Sequence, residues 1–287
     1  MDRPDQGERV HRWPSAELRE QVIRYRGYRT AGARPGRTTL PAGSVTLLLG
    51  WGTPLHMRDG PGNDAPLSRW PSLIAGVQTS PVLAGYPGAG HAIEVDFTSL
   101  GAHRCLGIPL HHLAETRVHP DHVMGTGWTA RITERLAATH DWSERWAIVD
   151  SILMSQCAER PPPSPLMVEA WNLLRARHGS MPMSELVTAT GRGRRRIQAL
   201  FREYIGVPPQ TLSRILRFQH ALTAPTTGYQ SLSELATMTG YYDQAHMNRE
   251  FRSLSGYTPR QLRDVTSQAS MKDNSENDRC FRDFFSQ

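Results

Sequence analysis

Cysteine is scarce: three in 287 residues, and Cys105, Cys157 and Cys280 stand far apart, with no C-x-x-C pair and no histidine pair at ligand spacing beside them. Neither a disulfide scaffold nor a cysteine zinc site is expected from that pattern. Long apolar runs are also missing. The longest, around Val45 to Trp51, falls well short of the ~20 residues that a membrane-spanning helix needs. The opening MDRPDQGERV has no apolar signal segment, so the expectation is a cytoplasmic protein without a membrane partner. A Walker-type phosphate loop is absent. Lysine is nearly so, Lys272 being the one lysine among 33 basic residues.

What is present is unevenly spread. Residues 1–160 carry 17 basic and 16 acidic side chains, residues 164–263 carry 13 and 6, and the tail from 264 carries 3 and 5. A stretch of a hundred residues thus holds more than the whole net charge of +6, beside a near-neutral half. That fits a polyanionic partner better than a merely solvated basic surface.

The chain divides at ERPPPSPL, where Pro161, Pro162, Pro163 and Pro165 cannot continue a helix or a central strand and favour a stiff spacer. The expected organisation is a domain over 1–160, a proline-rich linker at 161–165, a second domain over 166–263 and a polar tail over 264–287, whose Phe281, Phe284 and Phe285 suggest no role. The first domain opens with short β-like runs, VIRYRGYR, SVTLLLGW, SLIAGVQT and HAIEVDFT, between Gly and Pro clusters. It then turns helical in TARITERLAATH and DWSERWAIVDSILMSQC, where Trp142, Trp146, Val149 and Leu153 recur three and four apart. The fold class is therefore α+β in two domains, the second all-helical.

The second domain repeats itself. SELVTATG at 184–191 returns as SELATMTG at 233–240, and FREYIGVPP at 201–209 returns as FRSLSGYTP at 251–259. Each copy reads as a short helix carrying Leu186 or Leu235, a turn at Gly191 or Gly240, and a second helix with Ile197 and Phe201, or Met247 and Phe251, turned inward. That is the helix-turn-helix unit. Ser231 with Glu234 makes a capping box for the second copy, and Pro182 falls where a first-turn proline is tolerated. Between the copies, PPQTLSRILRFQHAL is one amphipathic helix with Leu212, Ile215, Leu216 and Leu222 on one side. It spans about 22 Å and, with the widths of the flanking units, approaches the ~34 Å between successive major grooves on one duplex face.

In such a unit the second helix enters the major groove and its N-terminal half meets base edges. The first copy presents Arg192, Arg194, Arg195, Arg196 and Gln198 there; the second presents Tyr242, Asp243, Gln244, His246 and Arg249. Arginine suits phosphate and the guanine edge, glutamine suits adenine. Arg202 and Arg252, at matching places in the two copies, are expected on phosphates. A helical protein-binding surface is the alternative, but clustered arginines repel one another unless a polyanion neutralises them.

These residues carry a family resemblance. The stretch 165–263 resembles the DNA-binding domain of the AraC/XylS transcription regulators, and GYYDQAHMNREFRSLSGYTPRQLR is similar to that family's C-terminal signature almost position for position. The resemblance implies seven helices, binding to double-stranded DNA, regulation of transcription, and RNA polymerase as a candidate partner. By motif position it puts base contacts on Arg195 and Gln198 in the first unit and on Gln244, His246 and Arg249 in the second. Gly193 stands where the family usually has Ser, and Ala199 where it usually has Arg, which opens contacts from Arg194 or Arg196 instead.

In the first domain, VDFTSLGAHRCLGIPLHHLAE followed by a helical pair is similar to the sensor domain of a subset of these regulators. That implies a cupin-like β-barrel with helices used for dimerisation, a small-molecule effector, and a homodimer as a candidate assembly. Tyr25, Tyr28, Trp51, Trp70, Tyr86 and Phe97 either line a ligand-holding barrel or fill its core. The Trp142 to Leu153 stripe either pairs two chains or packs on its own barrel. The alternative function is a cupin-type metalloenzyme domain fused to a DNA-binding module. Its ligands would come from His91 with Glu94 and Asp96, His103, His111 with His112, or His119 with His122. None repeats the H-x-H arrangement, and adjacent His111 and His112 on a helix point in different directions. No catalytic residue, metal or cofactor is expected.

Overall fold

The computed structural model describes residues 7–33, 36–60, 66–225 and 228–264. Lys272, Cys280 and the three tail phenylalanines lie outside the described residues. Among the described residues the N-terminal half holds ten strands: β1 (Glu8–Arg12), β2 (Val22–Thr30), β3 (Arg37–Thr39), β4 (Ser44–Gly52), β5 (Leu55–Asp59), β6 (Ser68–Trp70), β7 (Leu73–Ala75), β8 (Val82–Gly85), β9 (Gly90–Thr98) and β10 (Arg117–Val118). They form two antiparallel sheets, ordered β1-β2-β9-β4-β7-β10 and β3-β8-β5-β6. Helix α1 (Ser99–Leu106) lies between β9 and β10, and α2 (Asp121–Met124), α3 (Trp128–Ala138) and α4 (Trp142–Ala158) follow β10. The rest is helical: α5 (Pro165–Ala176), α6 (Met183–Thr190), α7 (Arg194–Tyr204), α8 (Pro209–Thr223), α9 (Leu232–Met238) and α10 (Gln244–Ser255), with a seventh helical stretch at 259–264. This is the α+β class read from the sequence, a domain of two antiparallel sheets followed by an all-helical region.

The long strands β2, β4 and β9 are covered on both faces, and the period of two sorts their side chains. Val45, Leu47 and Leu49 of β4, Ile93, Val95 and Phe97 of β9 and Tyr25 of β2 form one core with α1, α3 and α4. Leu48 and Ala92 face the other way, into a smaller core with Met57, Leu73 and Val82. The six aromatics therefore split. Tyr28, Trp70 and Tyr86 pack on the core between the sheets; Tyr25, Trp51 and Phe97 belong to the helix-covered face, which corrects the expectation that all six share an interior. Tyr25 lies against Trp146, with ring centroids 5.8 Å apart, and its hydroxyl donates to Asp150 Oδ1 at 2.6 Å.

That contact decides the fate of the α4 stripe. Trp146, Val149 and Leu153 are buried against their own sheet, so the stripe packs on its own domain and is not a surface for pairing two chains. The cysteines also depart from expectation. Cys105 in α1 and Cys157 in α4 form a disulfide, Cα atoms 4.8 Å apart across 52 residues of sequence. Distance along the chain is no measure of distance in space once two helices cover the same sheet.

The two halves pack on each other. Val77 is buried in the C-terminal core, with Leu40, Leu100 and Ala114 against it. The imidazole of His103 in α1 lies 4.1 Å from the Tyr204 ring at the end of α7. Gly206 (φ +95°) follows, and a Cβ there would stand 2.8 Å from the carbonyl oxygen of Leu110, so this close approach requires glycine. The prolines 161–163 occupy only the short step between α4 and α5. Pro165 opens α5 under an N-cap from Ser164, which accepts from the Met167 amide at 3.3 Å.

Candidate nucleic-acid interface

Each helix-turn-helix unit turns at a left-handed glycine, Gly191 (φ +60°) and Gly240 (φ +80°). The second helices then bury one side and expose the other. In α7, Ile197, Leu200 and Phe201 are buried, while Arg194, Arg195 and Arg196 in the first turn and Arg202 in the last are exposed and Gln198 is half-buried. In α10, Met247, Phe251 and Leu254 are buried, Arg249 and Arg252 are exposed, and Gln244 and His246 are half-buried. The nine residues singled out in the sequence thus fall at the rims of two helices, with none buried. None of the exposed arginines Arg194, Arg195, Arg196, Arg202, Arg249 and Arg252 has a carboxylate partner within ion-pair distance among the described residues.

The start of α10 is organised by its own side chains. Asp243 is the N-cap, its Oδ1 accepting from the His246 amide at 2.6 Å, so this carboxylate is committed to the helix and not to reading bases. His246 Nδ1 accepts from the Tyr242 amide at 3.4 Å, which leaves Nε2 to carry the proton and face Glu250 Oε1 at 3.4 Å. Tyr242 itself projects into solvent, 91% exposed. In the second unit's first helix, Ser231 Oγ accepts from the Glu234 amide at 3.1 Å and Glu234 reaches back to the Gln230 amide at 2.6 Å. Pro182 sits at the N-cap of α6, one place before the first turn.

A feature that the sequence reading missed holds the two units together. Buried Glu250 of α10 accepts from Arg214 Nε and Arg217 Nη2 of α8, each at 3.2 Å. Arg217 Nη1 also donates to the Gly179 carbonyl ahead of α6 at 2.9 Å, and its guanidinium stands 5.6 Å from the centre of the Tyr241 ring. One arginine therefore touches the first unit, the linking helix and the second unit. Leu212, Ile215 and Leu216 are fully buried below it. Arg214 and Arg217 are thus spent on Glu250, and exposed arginines remain for a partner on α7 and α10. A cleft of about 320 Å³ opens beside this bridge, between Pro182, Met183, Gln210 and Glu250.

The histidines proposed for a metal do not converge. Period two puts His91 on the helix-covered face, stacked on Trp51 at 5.5 Å. Glu94 and Asp96 point to the opposite face and pair with arginines. His103 is engaged with Tyr204. His111 and His112, in a 3-10 turn and not an α-helix, lie against each other as tilted rings 4.2 Å apart, and His119 and His122 meet edge to face at 6.3 Å. No group of three metal-binding side chains occurs among the described residues.

Residues 186–264 match the family model described as a helix-turn-helix domain. This region is a helix-turn-helix domain. Among curated proteins, the "F1 operon positive regulatory protein" of Yersinia pestis is 36% identical over 78 residues. The match takes in 27% of this chain and about a quarter (26%) of that relative's length. Solved structures with a weak overall likeness include ToxT from Vibrio cholerae, 10% identical with a TM-score of 0.44, covering 83% of this chain and 96% of that one. Another is the AraC-like transcriptional activator CuxR, 13% identical with a TM-score of 0.28, covering 77% and 88%. The match runs from within α6 through the stretch at 259–264, and the sheet half lies outside it.

Proposed function

We propose that this chain is a sequence-specific, double-stranded DNA-binding regulator of transcription. The observation that carries the reading is the pair of second helices fixed on one body by the Glu250, Arg214 and Arg217 bridge, each exposing basic and amide side chains at its start. Arg194, Arg195, Arg196, Gln198, Gln244, His246 and Arg249 are assigned to base edges, and Arg202 and Arg252 to phosphates. The name of the Yersinia pestis relative, a positive regulatory protein of an operon, supports the regulatory part.

The test is binding of the full chain to duplexes selected from its own genome, against random duplex, over a range of salt. Affinity should fall steeply, with a log-log slope several units negative as phosphate contacts release counterions. Arg195→Ala, Gln198→Ala, His246→Ala and Arg249→Ala should each cost about 1 to 3 kcal/mol on the selected site and far less on random DNA. Arg202→Ala and Arg252→Ala should weaken both alike. Equal losses on both duplexes for all four base-reading candidates would overturn the assignment.

The sheet domain is assigned a sensing role, with a small molecule as effector. The face between its sheets supports this: Arg24, Arg26, Tyr28, Glu94 and Asp96 form a polar network there, whose ion pairs a charged or hydroxylated ligand could exchange for its own. A metabolite that raises the melting temperature of the whole chain and changes its DNA affinity, with both effects lost in Arg26→Ala, is the expected result.

A further inference from the structure

Cys105 lies in the last turn of α1 and Cys157 in the last turn of α4. Helix ends are where local opening costs least. Arginines bracket the pair in a reciprocal way. Arg104, beside Cys105, donates from Nε to the Cys157 carbonyl at 3.2 Å. Arg160, beyond Cys157, donates from Nη1 to the carbonyls of Cys105 and, at 3.3 Å, of Arg104. The two guanidiniums thus clasp the backbone carbonyls at the ends of both helices and hold the two cysteines at bonding distance. Cys157 is the more accessible of the two, 6% against 1% exposed.

A regulator that reads chromosomal DNA works where thiol pools keep cysteines reduced, and a disulfide in such a compartment is usually transient and redox-sensing. α1 also joins the pair to the DNA-binding half, because its His103 packs on Tyr204 of α7. We propose that Cys105 and Cys157 form a reversible redox modification site, a dithiol at rest and a disulfide after exposure to a hydroperoxide. Its state passes through α1 to the first helix-turn-helix unit. The regulatory consequence rests on the DNA-binding reading; the chemistry of the pair does not.

The reaction balances. The Cys157 thiolate attacks the outer peroxide oxygen, the O–O bond breaks, and the departing alkoxide or hydroxide takes up a proton, leaving a sulfenic acid on Cys157. The Cys105 thiol attacks that sulfur, the S–S bond forms, and the hydroxyl leaves with the thiol proton as water. Two electrons move from the sulfurs to the peroxide. A dithiol reductant returns them by thiol–disulfide exchange.

The experiment uses the full chain carrying Cys280→Ser, so that only the pair can react. Non-reducing peptide mapping, before and after hydrogen peroxide, should show the Cys105 and Cys157 peptides become joined with loss of two hydrogens, and part again in dithiothreitol. Affinity for the selected duplex at fixed salt should differ threefold or more between the two states. Cys157→Ala, or Cys105→Ala if the first variant melts abnormally, should hold one affinity in both conditions. Three results would overturn the proposal: a pair already fully joined in protein thiol-trapped directly from cells, a pair that stays reduced under peroxide, or an affinity change below threefold. If the reduced chain binds no duplex at all, the DNA-binding reading falls and the peptide map alone decides the redox chemistry.

Discussion

Replacing Asp96 with asparagine removes a charge while keeping the shape of a buried side chain. Asp96 is 4% exposed. It accepts from Arg24 Nε at 2.7 Å, Arg26 Nη2 at 2.9 Å and Thr46 Oγ1 at 3.2 Å. Burial pushes its carboxyl up, but the Arg26 and Arg24 guanidiniums, with the hydrogen bonds from Arg24 and Thr46, outweigh it and hold the group below the usual carboxylate range. Breaking a buried ion pair by removing one partner costs about 3–5 kcal/mol. Arg26 keeps Glu94 in the variant, so the lower end applies, about 3 kcal/mol. Six of the seven tryptophans precede residue 160, and urea unfolding followed by tryptophan fluorescence therefore reports on this domain. The midpoint should fall by about 1 to 2 M. The sign with pH is also fixed. A carboxylate whose folded value is depressed contributes its stability above the unfolded value near 3.8, and loses it as pH drops through the folded one. The parent should lose stability below about pH 4 by this route, and Asp96→Asn should not. A midpoint shift under about 0.3 M urea, or identical acid branches, would refute the claim that this network ties β2, β4 and β9 together within their sheet.

Asp243→Ala should cost about 1 kcal/mol in thermal unfolding by uncapping α10, and weaken specific DNA binding, while Asp243→Asn restores both; an unaffected alanine variant would remove the cap from the account. His220 is pushed down to about 4 by burial and by its neighbour His178, whose ring lies 3.9 Å away. The folded chain then binds fewer protons than the unfolded one, so melting temperature should decline as pH falls from the ordinary histidine value near 6.5 toward 4. His220→Gln should flatten that decline, and an unchanged slope would contradict it. Gly206→Ala must place a side chain at φ +95° against the Leu110 carbonyl. It should destabilise by more than about 1 kcal/mol and raise protease cleavage between the halves.

What could be read without coordinates follows from range. The helix-turn-helix repeat is legible because it is written twice at nearly constant spacing, and Leu186, Ile197, Phe201, Leu235, Met247 and Phe251 each fall inward as their period requires. The bridge from Glu250 to Arg214 and Arg217 is illegible because its partners lie 33 and 36 residues apart with no pattern linking them. The cysteine pair fails for the same reason. In β4 the run SVTLLLGW has no alternation because both faces are covered, so the sequence could not say which aromatics face the small sheet. Strands β3, β6, β7 and β10, of two or three residues, are too short to show a period.

The tandem arrangement along α8 also has a sense of direction. The leading helix offers three successive arginines, Arg194, Arg195 and Arg196, and the trailing one offers a glutamine, a histidine and an arginine, so exchanging the two ends does not give the same surface. A duplex read by a single copy would therefore be an arrow and not a mirror. Inverting its target within a promoter would turn the sheet domain to the opposite side, upstream for downstream, with every base contact intact.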